Sequence, residues 1–115
     1  MLWSDAIRAL AAQTFVDGPD FKVKNVASGD LLSDILATTK EDFIMLTGQT
    51  TPQAIRTAIA VGALGVIIVR GKKPLDESIA IARENGIPLA STQLKMFECC
   101  FTLGGLLWNS PSSKS

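Results

Sequence analysis

Gly65-Val66-Ile67-Ile68-Val69-Arg70-Gly71-Lys72-Lys73-Pro74, continued by Ile79-Ala80-Ile81-Ala82-Arg83-Glu84-Asn85-Gly86-Ile87-Pro88-Leu89-Ala90-Ser91-Thr92, decides the fold class. The first run is short, apolar and β-branched, which suits a strand buried on both faces. A loop follows, then a helical pattern that stops at Asn85-Gly86, where glycine accepts the left-handed conformation that ends helices. A second apolar run, Ile87 to Ala90, is the next strand. This is a βαβ unit, and it predicts a parallel sheet with helices packed on its faces.

Working outward, Phe43-Ile44-Met45-Leu46 predicts another buried strand. Thr51-Pro52 then predicts the start of a helix, with Thr51 as cap and proline at the first helical position. Ile55, Ala58, Ile59 and Gly62 are the expected inward face of that helix. Phe21 to Val26 alternates apolar with polar and predicts a half-exposed or edge strand. Upstream, Ser4 or Asp5 is the expected cap of a first helix whose apolar positions are Ile7, Leu10, Ala11 and Phe15. Asp17-Gly18-Pro19-Asp20 reads as a turn, and Leu31 to Leu36 as a short helix. Thr92 is the expected cap of a last helix that turns Leu94, Phe97, Phe101, Gly104 and Leu107 or Trp108 inward. The expected fold is therefore α/β, a three-layer α/β/α single domain with a mostly parallel sheet of about four or five strands. It spans residues 1–108, and the polar Ser/Pro-rich stretch 109–115 is expected to be a flexible tail.

The 115 residues carry 11 acidic and 11 basic side chains, a net charge of zero. That balance offers no electrostatic footprint for nucleic acid or an anionic membrane. No apolar run approaches the roughly 20 residues that span a bilayer, and the first residues lack the pattern of a signal peptide, so a cytoplasmic setting is expected. Histidine is absent, which removes Ser-His-Asp chemistry and histidine metal ligands. Cys99 and Cys100 are sequence neighbours that cannot form an unstrained disulfide. Without further cysteine or histidine they do not make a metal site, and no metal or cofactor is expected. Phe97, Cys100 and Phe101 share a helical face, so Cys100 is expected as core filler.

Parallel sheets place ligands at the carboxyl ends of their strands. Three such ends can be named: Thr47, Gly48, Gln49, Thr50 and Thr51; Arg70, Gly71 and Lys72; and Ser91, Thr92 and Gln93. Two lead into helix N-termini, which favour anions, and Arg70 and Lys72 add positive charge. A phosphate, nucleotide or carboxylate suits the place. The plainer alternative is that the threonines cap helices and the cations are merely solvated. Asp34, set among Leu31, Leu32, Ile35 and Leu36 and close to Asp30 and Ser33, is a further candidate, either as a polar anchor in a ligand site or as a local cap.

The apolar fraction is 47% and the mean hydropathy +0.28. Leu31, Leu32, Phe101, Leu106, Leu107 and Trp108 exceed what a core of this size clearly needs, so self-association as a homodimer is expected. Burial beneath the helix layers is the alternative.

Several segments, taken in order, resemble a known family. Gly29-Asp30-Leu31-Leu32-Ser33-Asp34-Ile35-Leu36, Thr47-Gly48-Gln49 with the helix after Pro52, Gly65 to Val69, and Gly86 to Thr92 with Phe97-Glu98 are similar to the corresponding segments of DRTGG-type domains. The resemblance covers about Phe21 to Leu107. It extends to the amino-terminal domain of HPr kinase/phosphorylase and to domains found in phosphotransacetylases and beside CBS domains. It implies a regulatory or assembly module with an α/β/α fold, not a kinase. Gly71-Lys72-Lys73 lacks the Gly-x-x-x-x-Gly-Lys-Ser/Thr pattern of phosphoryl transfer. The literal Asp-Arg-Thr-Gly-Gly string is missing. Thr51 stands where members often carry histidine, and Arg70 where many carry a small residue.

Three functions are consistent with these residues: a sensor of a small anionic ligand, a protein-interaction module without a ligand, and, least supported, an enzyme.

Overall fold

The structure, a computed structural model, describes residues 1–29 and 41–108. The expected helix at Leu31–Leu36, the candidates Asp30, Ser33 and Asp34, the apolar Leu31 and Leu32, and the tail 109–115 lie outside the described residues.

In chain order the elements are α1 (Trp3–Ala9), β1 (Gln13–Val16), β2 (Asn25–Ser28), β3 (Phe43–Thr47), α2 (Pro52–Val61), β4 (Gly65–Ile68), α3 (Asp76–Glu84), β5 (Leu89–Ser91) and α4 (Met96–Trp108). They build one α/β domain around a five-stranded sheet of order β1-β5-β4-β3-β2. β2, β3, β4 and β5 run parallel. β1 joins β5 antiparallel, with a register break between Thr14 and Val16. The sheet is thus mixed, with its single antiparallel strand on one edge.

Strand alternation sorts the core into two layers. Phe43, Met45, Val66, Ile68 and Leu89 point to one face and pack with Ile55 and Ala58 of α2 and Ala82 of α3. Ile44, Leu46, Ile67 and Ala90 point to the other, against Trp3, Ala6 and Leu10 of the α1 region and Cys99 and Leu103 of α4. β3 and β4 are buried along their whole length, which is why they read as unbroken apolar runs.

The βαβ unit stands as the sequence predicts, with Gly86 at φ +66° beyond the end of α3. Several expectations need correction. Phe15 does not extend the first helix; it lies on β1, a strand hidden by the helical spacing of Ala11 to Phe15. The strand expected at Phe21–Val26 lies about one turn of chain later, at Asn25–Ser28. Upstream of it Lys22 makes only an isolated bridge to Leu2. Neither Ser4 nor Asp5 is the cap of α1: the cap position is Leu2, whose N–H is accepted by the Asp5 carboxylate at 2.9 Å. Asp20 instead accepts the Ser4 N–H and hydroxyl at 2.9 and 2.7 Å, clasping the turn 17–20 onto the helix. In α2, Ile59 is exposed, and the buried positions are Ala54, Ile55, Thr57 and Ala58.

The largest correction concerns α4. It begins at Met96, and it turns Cys99 and Leu103 inward while Phe97 and Phe101 stand 78% and 76% exposed. The buried cysteine is Cys99, whereas Cys100 is half-buried.

Candidate functional site

Because β3, β4 and β5 are parallel and adjacent, their carboxyl ends share one edge of the sheet. Beyond β4 the chain turns through two consecutive positive-φ residues, Arg70 at +66° and Gly71 at +68°. A left-handed arginine is strained backbone, and such strain concentrates at functional sites. The turn is secured by the segment that follows β5: Arg70 N–H donates to the Leu94 carbonyl and Gly71 N–H to the Thr92 carbonyl, both at 2.8 Å.

Lys72 reaches the neighbouring strand end. Its Nζ donates to the Gly48 carbonyl at 3.1 Å, and its own carbonyl accepts the Ser91 hydroxyl at 2.6 Å. One residue thereby ties the ends of β3, β4 and β5 together. Thr50 joins the same arrangement, its carbonyl accepting the Ser78 hydroxyl at 2.7 Å. The Thr47 hydroxyl accepts the Gln49 N–H at 3.0 Å. Thr51 occupies the cap position of α2 without a side-chain cap bond. Thr92 does not cap α4: it is buried, its hydroxyl donating to the Leu10 carbonyl at 2.7 Å and accepting the Leu94 N–H at 3.2 Å.

Beside this junction lies a cleft of about 330 Å³ lined by Ala11, Gln13, Phe15, Gly71, Lys72, Lys73, Ser91 and Gln93. Of the residues expected at the strand ends it gathers Gly71, Lys72, Ser91 and Gln93. Thr47 to Thr51 and Arg70 are not part of its lining. Gln13 and Phe15 reach the cleft from β1, whose local pattern continues a helical spacing; the polar start of Gln13-Thr14-Phe15-Val16 is the signal that marks it. Lys73 lines the cleft beside Lys72.

Among the described residues the lining holds two ammonium groups, two glutamine amides and an aromatic ring, and no carboxylate. That chemistry suits an anion with a planar or polar body. Ser91 is the one hydroxyl of the lining among the described residues, and it is already bonded to backbone. A larger cavity, about 710 Å³, sits elsewhere, between α1 and the turn at Asp17–Asp20. There Asp20 has its carboxyl held below the ordinary range by the Ser4 hydroxyl and N–H. Cys99, beneath α4, has its thiol pushed up to about 11 by burial and by neighbouring Cys100 and Glu98. Among the described residues no group of three His, Cys, Asp or Glu side chains is placed to hold a metal ion. No helix among them is long and apolar enough to cross a membrane.

No protein-family model matches the chain, and no curated protein matches it in sequence. Among solved structures the chain is similar to the CBS and DRTGG domains of the regulatory region of Clostridium perfringens pyrophosphatase, crystallised with its activator diadenosine tetraphosphate. The TM-score is 0.74 at 17% sequence identity. The match covers 96% of this chain and 48% of the other, so the chain spans about half of that regulatory region. At this identity the likeness is one of architecture, and it supports a DRTGG-like fold.

Proposed function

We propose that this chain is a non-catalytic regulatory module that senses a small anionic ligand, of phosphate or nucleotide type, at the carboxyl edge of its sheet and acts through a homodimer. The observation that carries the reading is the position of Lys72. It lines the cleft, bridges to Gly48, and follows a turn hydrogen-bonded to the segment 92–94 that leads into α4. A ligand drawing Lys72 away from Gly48 would disturb the Arg70–Gly71 turn and, through it, the start of α4. Such coupling needs only a difference in ligand affinity between two arrangements of that turn.

The likeness to a pyrophosphatase regulatory region bound to a dinucleotide activator supports a sensing role. In this reading Thr47, Gly48, Gln49, Thr50, Thr51 and Arg70 form the rim on the α2 side, and Lys72 and Lys73 are the anion contacts. A closer kinship with the amino-terminal domain of HPr kinase/phosphorylase and a cytoplasmic setting belong to the same proposal. The second reading, a protein-docking module without a ligand, is favoured by the exposed Phe97 and Phe101.

The test is a thermal-shift screen with inorganic phosphate, nucleotides, phosphorylated metabolites and simple carboxylates on wild type, Arg70→Ala and Lys73→Ala. At a hundredfold excess over Kd a bound ligand stabilises by about 2.7 kcal/mol, a shift of roughly 10 °C for a chain of this size. A shift in wild type that is lost in Lys73→Ala supports sensing at the cleft. No shift with any anion ends the sensing reading and leaves protein docking.

A further inference from the structure

We infer that α4 is the surface through which two copies of this chain pair, by an antiparallel helix–helix contact about a twofold axis beside Phe101. The inference rests on the homodimer reading and names its face.

Phe97 and Phe101 stand 78% and 76% exposed. Their rings stack on one another at 6.5 Å. On the helix, Phe97, Phe101 and Gly104 follow at spacings of four and three and so share a stripe, with Gly105 at its margin. Cys99 and Leu103, on the opposite side, are the buried contacts with the sheet. Glu98 is the one charged residue between Met96 and Trp108. A helix apolar all round belongs in a buried setting, yet one side of this one faces water.

A second copy of the same stripe fits it. Two aromatic rings form a ridge at the N-terminal end, and Gly104-Gly105 forms a notch at the other. Antiparallel pairing brings Phe101 against Phe101 of the second copy and seats each Phe97 on the other copy's glycine step. Small residues let helices approach closely, and a twofold contact must be self-complementary in this way. The two rings on each copy offer about 300 Å². A pair would then bury roughly half of the smallest stable interface from phenylalanine alone, with the flanking helix turns available for the rest.

The experiment is sedimentation equilibrium from low micromolar to near-millimolar concentration on wild type, the double variant Phe97→Ser/Phe101→Ser, and Gly104→Leu, with melting curves for each. The expected result is a wild-type dimer, a dissociation constant raised roughly a hundredfold or more in the double variant, and weaker pairing when leucine fills the notch. The double variant should melt as the wild-type monomer does, because both rings are exposed in one copy. A wild-type monomer throughout would overturn the inference together with the homodimer reading. A wild-type dimer that survives loss of both phenylalanines would overturn this face alone. A double variant that dissociates while Gly104→Leu pairs normally would overturn the ridge-in-notch geometry.

Discussion

The Gln93 side chain lies against the bare Cα of Gly71: a Cβ at position 71 would stand 2.5 Å from the Gln93 Oε1. This contact joins the turn after β4 to the end of β5, and it forms one wall of the cleft. Gly71 is therefore favoured by its φ of +68°, while the flexible end of the glutamine packs on it.

Gly71→Ala should cost about 1 kcal/mol, set by the left-handed backbone, since the end of a glutamine side chain can move aside. That is a Tm loss of roughly 4 °C. Gln93→Ala leaves the backbone untouched and should hold stability within about 0.5 kcal/mol. Urea denaturation of the pair decides: equal losses in both would mean the side-chain contact, not the backbone, dominates.

Gly65→Ala meets a different obstacle. Its Cβ would stand 2.7 to 3.1 Å from three ring atoms of Trp3. That ring is buried and stacked on Phe21 at 5.4 Å, so it cannot swing away. The expected cost is about 2–3 kcal/mol, at the upper end for overpacking. Trp3→Leu should be destabilising by itself but should reduce the further cost of Gly65→Ala in a double-mutant cycle. Simple additivity of the two would refute the ring contact as the cause.

Cys99 links pH to stability. Its thiol rises from an ordinary 9.0 to about 11 in the folded chain, so the native state holds that proton more tightly than the unfolded state. The contribution is constant below pH 9 and is lost as pH climbs toward 11. Cys99→Ala should remove about 1–3 kcal/mol of that alkaline decline, read by comparing urea midpoints at neutral pH and near pH 10. An identical alkaline decline in wild type and Cys99→Ala would contradict this account. In the native protein at pH 8, iodoacetamide should label half-buried Cys100 ahead of Cys99.

Much of the architecture was legible in the chain itself, where the signals are local. Val66 to Val69 and Phe43 to Leu46 read as strands because a strand buried on both faces is continuously apolar. Pro52 and Gly86 mark a helix start and a helix stop through their own φ preferences. From those pieces followed the parallel sheet, its helix layers and the edge where Gly71, Lys72 and Ser91 meet. The segments similar to DRTGG-type domains pointed to the same architecture that the structural likeness supports.

Tertiary structure alone decided what depended on a distant partner. α4 is apolar on every side, so periodicity could not say that Cys99 and Leu103 would face the sheet and Phe97 and Phe101 the solvent. The docking of α4 against Ile67, Ala90 and the α1 region chose its rotation. β1 exists because β5 offers it a free edge, a pairing between residues about seventy-five positions apart; locally, Ala11 to Phe15 continues a helical spacing. The Thr92 hydroxyl, a plausible cap by sequence, is instead bound to the Leu10 carbonyl 82 residues away. Local propensity determined which elements form; long-range packing, which satisfies each buried polar group and covers each apolar face only once, determined how they are turned and what they expose.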